Sequence, residues 1–170
     1  MRYGPLGRRL AATLVILSGM ILFVPRVGER GVGDETSAIA ALKMIDVAEV
    51  AYSSVHGHFD TLTCLAASPT CVVGPDVSQD GFLDRDLAAA TEWHGYRIEF
   101  FPGPSAWDGS ARSSRSAMTR FAVVAMPVKS DARKRRAFCT DDTGKVFVGP
   151  ATTVPRVDDG RCLDRSTPLD

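Results

Sequence analysis

Apolar and polar positions alternate with a readable period in several stretches of the chain. Leu10–Val24, LAATLVILSGMILFV, runs fifteen residues without a charge. Apolar residues then recur at Ile39, Leu42, Ile45, Ala48, Tyr52 and Val55, three or four apart. That spacing predicts one face of an amphipathic helix over residues 35–56, with Asp46 and Glu49 on its polar face. Asp34 is placed to cap its start, and Gly57 can take the left-handed conformation that ends it. FLDRDLAAATEW, beginning at Phe82, reads as two or three helical turns. YRIEFF (Tyr96 to Phe101) alternates as a half-buried strand does, and RFAVVAMPV (Arg120 to Val128) reads as a more buried one. AFCT (Ala137 to Thr140) and KVFV (Lys145 to Val148) flank Asp141-Asp142-Thr143-Gly144, a hairpin signal with glycine where a positive φ is needed. The Ser/Arg-rich residues 105–119 and the Pro/Asp/Arg-rich tail from Gly149 read as irregular.

Sequential strands on short loops predict three or four antiparallel strands. Their inner face would cover the helix stripe, giving an α+β domain. In it Ile45, Ala48, Tyr52 and Val55 are expected under Ile98, Phe100, Phe121, Val123 and Phe147. The divisions are a basic flank over residues 1–9, an anchor over 10–27, a Gly-rich hinge over 28–34, a globular domain over 35–148 and a tail over 149–170.

The uncharged segment carries most of the information about location. Leu10–Val24 would span about 22 Å as a helix, short of the ~30 Å hydrocarbon core. Continuing to Val27 lengthens it, with Arg26 reaching back to the headgroups. Arg2, Arg8 and Arg9 precede it with no acid among them, and Glu29, Asp34 and Glu35 dilute the arginines after it. That asymmetry predicts an uncleaved signal anchor with the N-terminus in the cytoplasm. The alternatives are a cleaved signal peptide, for which no Ala-x-Ala site follows Val24, and a buried core helix. Anchor and signal peptide both export the remaining chain. In an oxidising compartment four cysteines imply disulfides. Cys64 and Cys71 enclose six residues with a Ser68-Pro69 turn signal, so a local loop is the simplest closure. Cys139 would then tie Cys162, and with it the tail, to the domain. Four free thiols in a cytosolic chain are the alternative.

This order, with particular residues, resembles type IV pilins and the major pseudopilins of type II secretion. The likeness is closest over Asp34–Val55, DETSAIAALKMIDVAEVAYSSV. Asp34-Glu35-Thr36-Ser37-Ala38 matches the family's start, and Ala41 to Glu49 followed by Tyr52 its continuation. His58-Phe59 with Leu62, Gly81-Phe82-Leu83-Asp84 with Leu87, Gly95-Tyr96, Phe138 and Thr140 to Val146 fall where the family places its segments. Pro25 sits in the apolar run much as a proline does in pilin stems. The resemblance covers residues 10–148. It implies a pilin-like fold and no enzymatic activity. The implied location is a single pass through a bacterial inner membrane, with the C-terminal domain periplasmic. Implied partners are the membrane and pilin or secretion-system subunits. Pilin precursors are cut between a glycine and a phenylalanine, with a glutamate soon after. Here the stretch is Tyr3-Gly4-Pro5-Leu6-Gly7-Arg8-Arg9. Pro5 blocks cleavage and Arg8 reverses the charge, so the N-terminus is expected to stay uncut.

Composition narrows the remaining classes. The chain has 170 residues with 20 basic and 20 acidic groups, room for one domain and a neutral balance. Neutrality argues against a general grip on nucleic acid. Lys129–Arg136 is locally basic and reads as a solvated loop, with anionic headgroups or an acidic partner as the second reading. Gly28, Gly31 and Gly33 do not follow the GxGxxG order. No GxSxG, HExxH or P-loop motif occurs. His56, His58 and Asp60 lie close together, but a zinc or copper site needs more ligands and His94 is the one other histidine. Asp76, Ser78, Asp80 and Asp84 stand at positions 1, 3, 5 and 9 of a calcium loop with Gly81 at 6. Position 12 is Leu87, so the competing reading is a polar turn in which Asp84 caps a short helix. No cofactor is expected otherwise. A stand-alone anchored enzyme or sensor, its site assembled from scattered residues, is the alternative function.

Overall fold

The computed structural model describes residues 30–67, 71, 81–110, 113–128, 135–150, 152–163 and 168–169. The Leu10–Val24 segment, Asp76, Ser78 and Asp80, and the basic residues 129–134 lie outside them.

The helix predicted from the apolar stripe runs over Arg30–His56 (α1). It begins earlier than expected, so Gly31 and Gly33 of the expected hinge lie in its first turn. Gly57, at φ +80°, ends it with its N–H on the Ser53 carbonyl. Two short helices follow, Leu62–Ala66 (α2) and Arg85–Ala89 (α3). Asp84 caps α3, accepting from the backbone N–H of Asp86 and Leu87. The strands are Glu92–Trp93 (β1), Tyr96–Pro102 (β2), Phe121–Pro127 (β3), Arg136–Asp141 (β4), Val146–Pro150 (β5), Val157–Asp158 (β6), Arg161–Cys162 (β7) and Pro168–Leu169 (β8).

The expected architecture, an anchor helix and a long helix on a three- or four-stranded pilin-like sheet, is corrected. Among the described residues the sheet has six antiparallel strands in the order β1-β2-β3-β4-β5-β8, accompanied by the two short helices and a separate β6–β7 hairpin. No helix among them is long and apolar enough to cross a membrane. The added strands have two residues each, too few to show any alternation. Three of them, β1, β6 and β7, are set by turns instead. His94 and Gly95 have φ of 48° and 78°, and Asp159 and Gly160 have 50° and 71°, the two-residue hairpin geometry with both central residues left-handed.

The sheet is covered on both sides, which explains why β3 reads as the continuous apolar run FAVVA. Phe121, Val123 and Ala125 face α1, joining Leu42, Ile45 and Tyr52 in one core. Ala122 and Val124 face the other way, against Cys139, Phe147 and Cys162. Phe147, expected beneath α1, thus belongs to the opposite face. The tail read as irregular supplies the cover there. Its β6–β7 hairpin is held by the Cys139–Cys162 disulfide, by the Cys162 N–H on Asp141 Oδ2 at 3.1 Å, and by Arg120–Asp159 at 3.3 Å. Gly160 closes the contact. A Cβ there would lie 2.7 Å from Gly103 Cα, and its φ is already unfavourable for a side chain. Gly160→Ala is expected to cost about 2 kcal/mol, read as a lower urea midpoint with unchanged slope.

Candidate functional site

Two regions of α1 carry polar or exposed groups that ordinary core packing does not explain. The first lies between its second half and the sheet. Glu49 is fully buried and Asp46 is 6% exposed, although the sequence pattern places both on a polar face. The stripe Leu42, Ile45, Glu49, Tyr52 is one helical face, so Glu49 is carried inward with its neighbours. Its Oε2 accepts the Asp60 backbone N–H at 3.3 Å, while Oε1 is buried without a partner. Burial pushes the Glu49 carboxyl up to about 9, and the Asp60 and Asp46 carboxyls beside it act in the same direction. Asp46 is pushed up to about 7, chiefly by burial and further by Asp141, against a bond from Thr140. The Thr140 hydroxyl lies 2.7 Å from Asp46 Oδ2 and 3.1 Å from the Lys145 carbonyl. It has one proton to give, so a protonated Asp46 donating to it satisfies both contacts.

Asp60 organises the neighbouring polar groups. Its carboxylate accepts from Tyr52 at 3.1 Å, from Ser116 at 2.6 Å and from the Thr61 N–H at 2.8 Å. The Ser/Arg-rich loop comes here because Met118 bridges to Phe59 and buries Ser114 beside Ser116. Burial, then the Asp60 charge, raises the Tyr52 phenol. His56 and His58 sit against the Tyr52 ring, and burial lowers His56. The Ser114 and Ser116 hydroxyls pair with each other and Ser116 with Asp60, while the Ser113 hydroxyl is buried without a partner. This is a polar network bracing α1 against the loops.

The other expected site residues are dispersed. Cys64–Cys71 and Cys139–Cys162 are both disulfide-bonded. Asp84 spends Oδ1 on the α3 cap, and its calcium-loop companions Asp76, Ser78 and Asp80 are outside the described residues. Among the described residues no group of three His, Cys, Asp or Glu could hold a metal ion. His94 stands in the β1–β2 turn. At the end of the basic loop Arg135 pairs with Asp34 at 2.9 Å, and Arg136 grips Glu35 through Nε and Nη2. Those pairs fasten the start of α1 to β4.

The second region is the outer face of α1. Val47 is 70% exposed, Val50 54% and Met44 47%, with Ala40 exposed above them. Lys43 is the one exposed charged residue of the helix on this face, and Asp84 and Asp46 line the grooves beside it. Val47 forms a ridge between two grooves. One, of about 380 Å³, runs along Phe82, Leu83 and Leu87, and the other, of about 540 Å³, along Val50 and Ala51 towards Gly144. Val55, expected in the core, is also exposed. The sequence carried the signal for this face: Ala40, Met44, Val47 and Val50 form a second apolar stripe opposite the first.

Comparison of the chain with protein-family models, curated proteins and solved structures gives no match.

Proposed function

We propose that this chain is a non-enzymatic, membrane-tethered, extracytoplasmic protein of the bacterial envelope, and that it works by docking a protein partner on the outer face of α1. The observation that carries the reading is that α1 is apolar on both sides. One side is buried under the sheet, and the other is turned to solvent with Met44, Val47 and Val50. A soluble domain ordinarily gives such a face charged residues. The two disulfides suit an oxidising compartment, and the uncharged Leu10–Val24 segment suits a tether placed a few residues before the helix. Type IV pilus and type II secretion assemblies are the first partners to test, on the residue resemblance over Asp34–Val55.

A fusion of alkaline phosphatase after Asp170 is expected to be active and to sediment with membranes. A cytoplasmic reporter at the same position is expected to be silent. The opposite pair of results overturns the reading.

A further inference from the structure

We propose that the outer face of α1 is occupied by the same face of a second copy of this chain, the two helices standing parallel above one membrane. The inference rests on the tethered reading above and names the partner.

The chain outside the structure sets the orientation. Twenty-nine residues precede Arg30, and the uncharged segment ends at Val24, five residues short of it. A link that short spans at most about 20 Å. Two tethered copies therefore leave the membrane in the same sense and start their α1 helices at nearly the same height. Parallel helices at one height bring like residue to like residue. Confinement to a membrane also raises the effective concentration of each copy for the other.

The residues of the face suit that arrangement. Ala40, Val47 and Ser54 recur every seven residues, and Met44 and Ala51 lie three or four from them. This is the spacing of a two-helix seam, which keeps apolar residues facing each other along parallel helices. Ala40 and Ser54 are small enough for close approach, and Val47, central on the face, can enter a groove beside its counterpart.

Charge points the same way. Asp46 and Glu49 are buried, leaving Lys43 as the one exposed charge of the helix here, while Asp46 lines one groove and Asp84 the other. A charged partner would find little to pair with. A second copy presents the same largely apolar ridge, and the Lys43 it brings meets a face that holds Asp46 and Asp84 in its grooves as well as a solvent-screened lysine.

The test uses the full chain in isolated membranes. All described cysteines are paired, so an introduced thiol is the reactive one. Ala40→Cys and Val47→Cys are expected to give a dimer with a short bismaleimide, at least tenfold more than Glu99→Cys on the exposed part of β2. Adding Val47→Glu to Ala40→Cys is expected to remove that dimer while both native disulfides persist. A membrane-bound chain that does not cross-link at 40 or 47, that cross-links equally at 99, or that joins a different protein instead overturns the proposal. A chain absent from the membrane fraction overturns the tether alone. Its sedimentation then decides the pairing, a dimer supporting it and a monomer overturning it.

Discussion

The domain is expected to lose stability steadily as pH rises from 5 to 8. The cause is the pair of acids carried inward on α1. In the unfolded chain Asp46 and Glu49 titrate at their ordinary 3.8 and 4.5; in the folded domain they are held up to about 7 and about 9. Between those limits the unfolded chain has released protons that the folded domain keeps. The folded state binds more protons there, so stability falls as pH rises. The slope is up to about 1.4 kcal/mol per pH unit for each group. The Asp46 contribution is exhausted near pH 7, whereas that of Glu49 continues towards pH 9. The groups facing Asp46 are Thr140 and Asp141 on β4 and Lys43 on its own helix; those facing Glu49 are Asp60, Tyr52 and Asp46. Urea midpoints at pH 5, 6, 7 and 8 should fall in order, and the unfolding free energy by several kcal/mol in all. Midpoints that are level or rise with pH would show that both acids are ionised in the fold.

Glu49→Gln isolates the larger part of that effect. The amide keeps the acceptor for the Asp60 N–H and has no proton to lose. At pH 8 the variant is expected to be more stable than the parent by about 2–4 kcal/mol, from the removed linkage. At pH 5 the two should nearly coincide, and above pH 7 the variant's slope should vanish. A glutamine variant weaker than the parent at pH 8 would mean that an ionised Glu49 is used by the fold.

What could be read from the chain beforehand divides by distance along it. Local signals held at particular places. The three-or-four spacing marked α1, alternation marked β2, the Asp141–Gly144 turn marked the β4–β5 hairpin, and Asp84 marked the start of α3. The short strands failed because two residues carry no period, although His94-Gly95 and Asp159-Gly160 were turn dipeptides in plain view. Asp46 and Glu49 were placed outside because charge normally stays in water. What holds them inside comes from far away, Thr140 lying 94 residues from Asp46 and Asp60 lying 11 from Glu49. No pattern within a helix shows such partners. With its acids drawn inward, the helix was left with Met44, Val47 and Val50 on its water side. The exposed apolar face and the buried acids thus escaped the sequence reading for one reason, the buried side of the helix being wider than its apolar stripe and taking in Asp46 and Glu49.

Two aspartates placed two residues apart on α1 are expected to have opposite consequences. Ile45 is fully buried in the core that α1 shares with Phe121, Val123 and Phe138. Ile45→Asp removes the apolar contact and places a carboxyl where burial already raises the neighbouring Asp46 to about 7. The combined cost is about 3–5 kcal/mol, enough to unfold a domain of ordinary stability at neutral pH. It should be partly recovered at pH 5, where the new carboxyl is more easily protonated. Val47, in contrast, is 70% exposed, and Val47→Asp should change the folding free energy by no more than about 0.5 kcal/mol. Circular dichroism melts of the two variants separate the faces. If Val47→Asp unfolds the domain as Ile45→Asp does, the outer face is part of the fold and cannot serve a partner. If both variants melt like the parent, α1 is not packed on the sheet through Ile45. A folded Val47→Asp beside an unfolded Ile45→Asp leaves a helix that folds through one face and has the other free for binding.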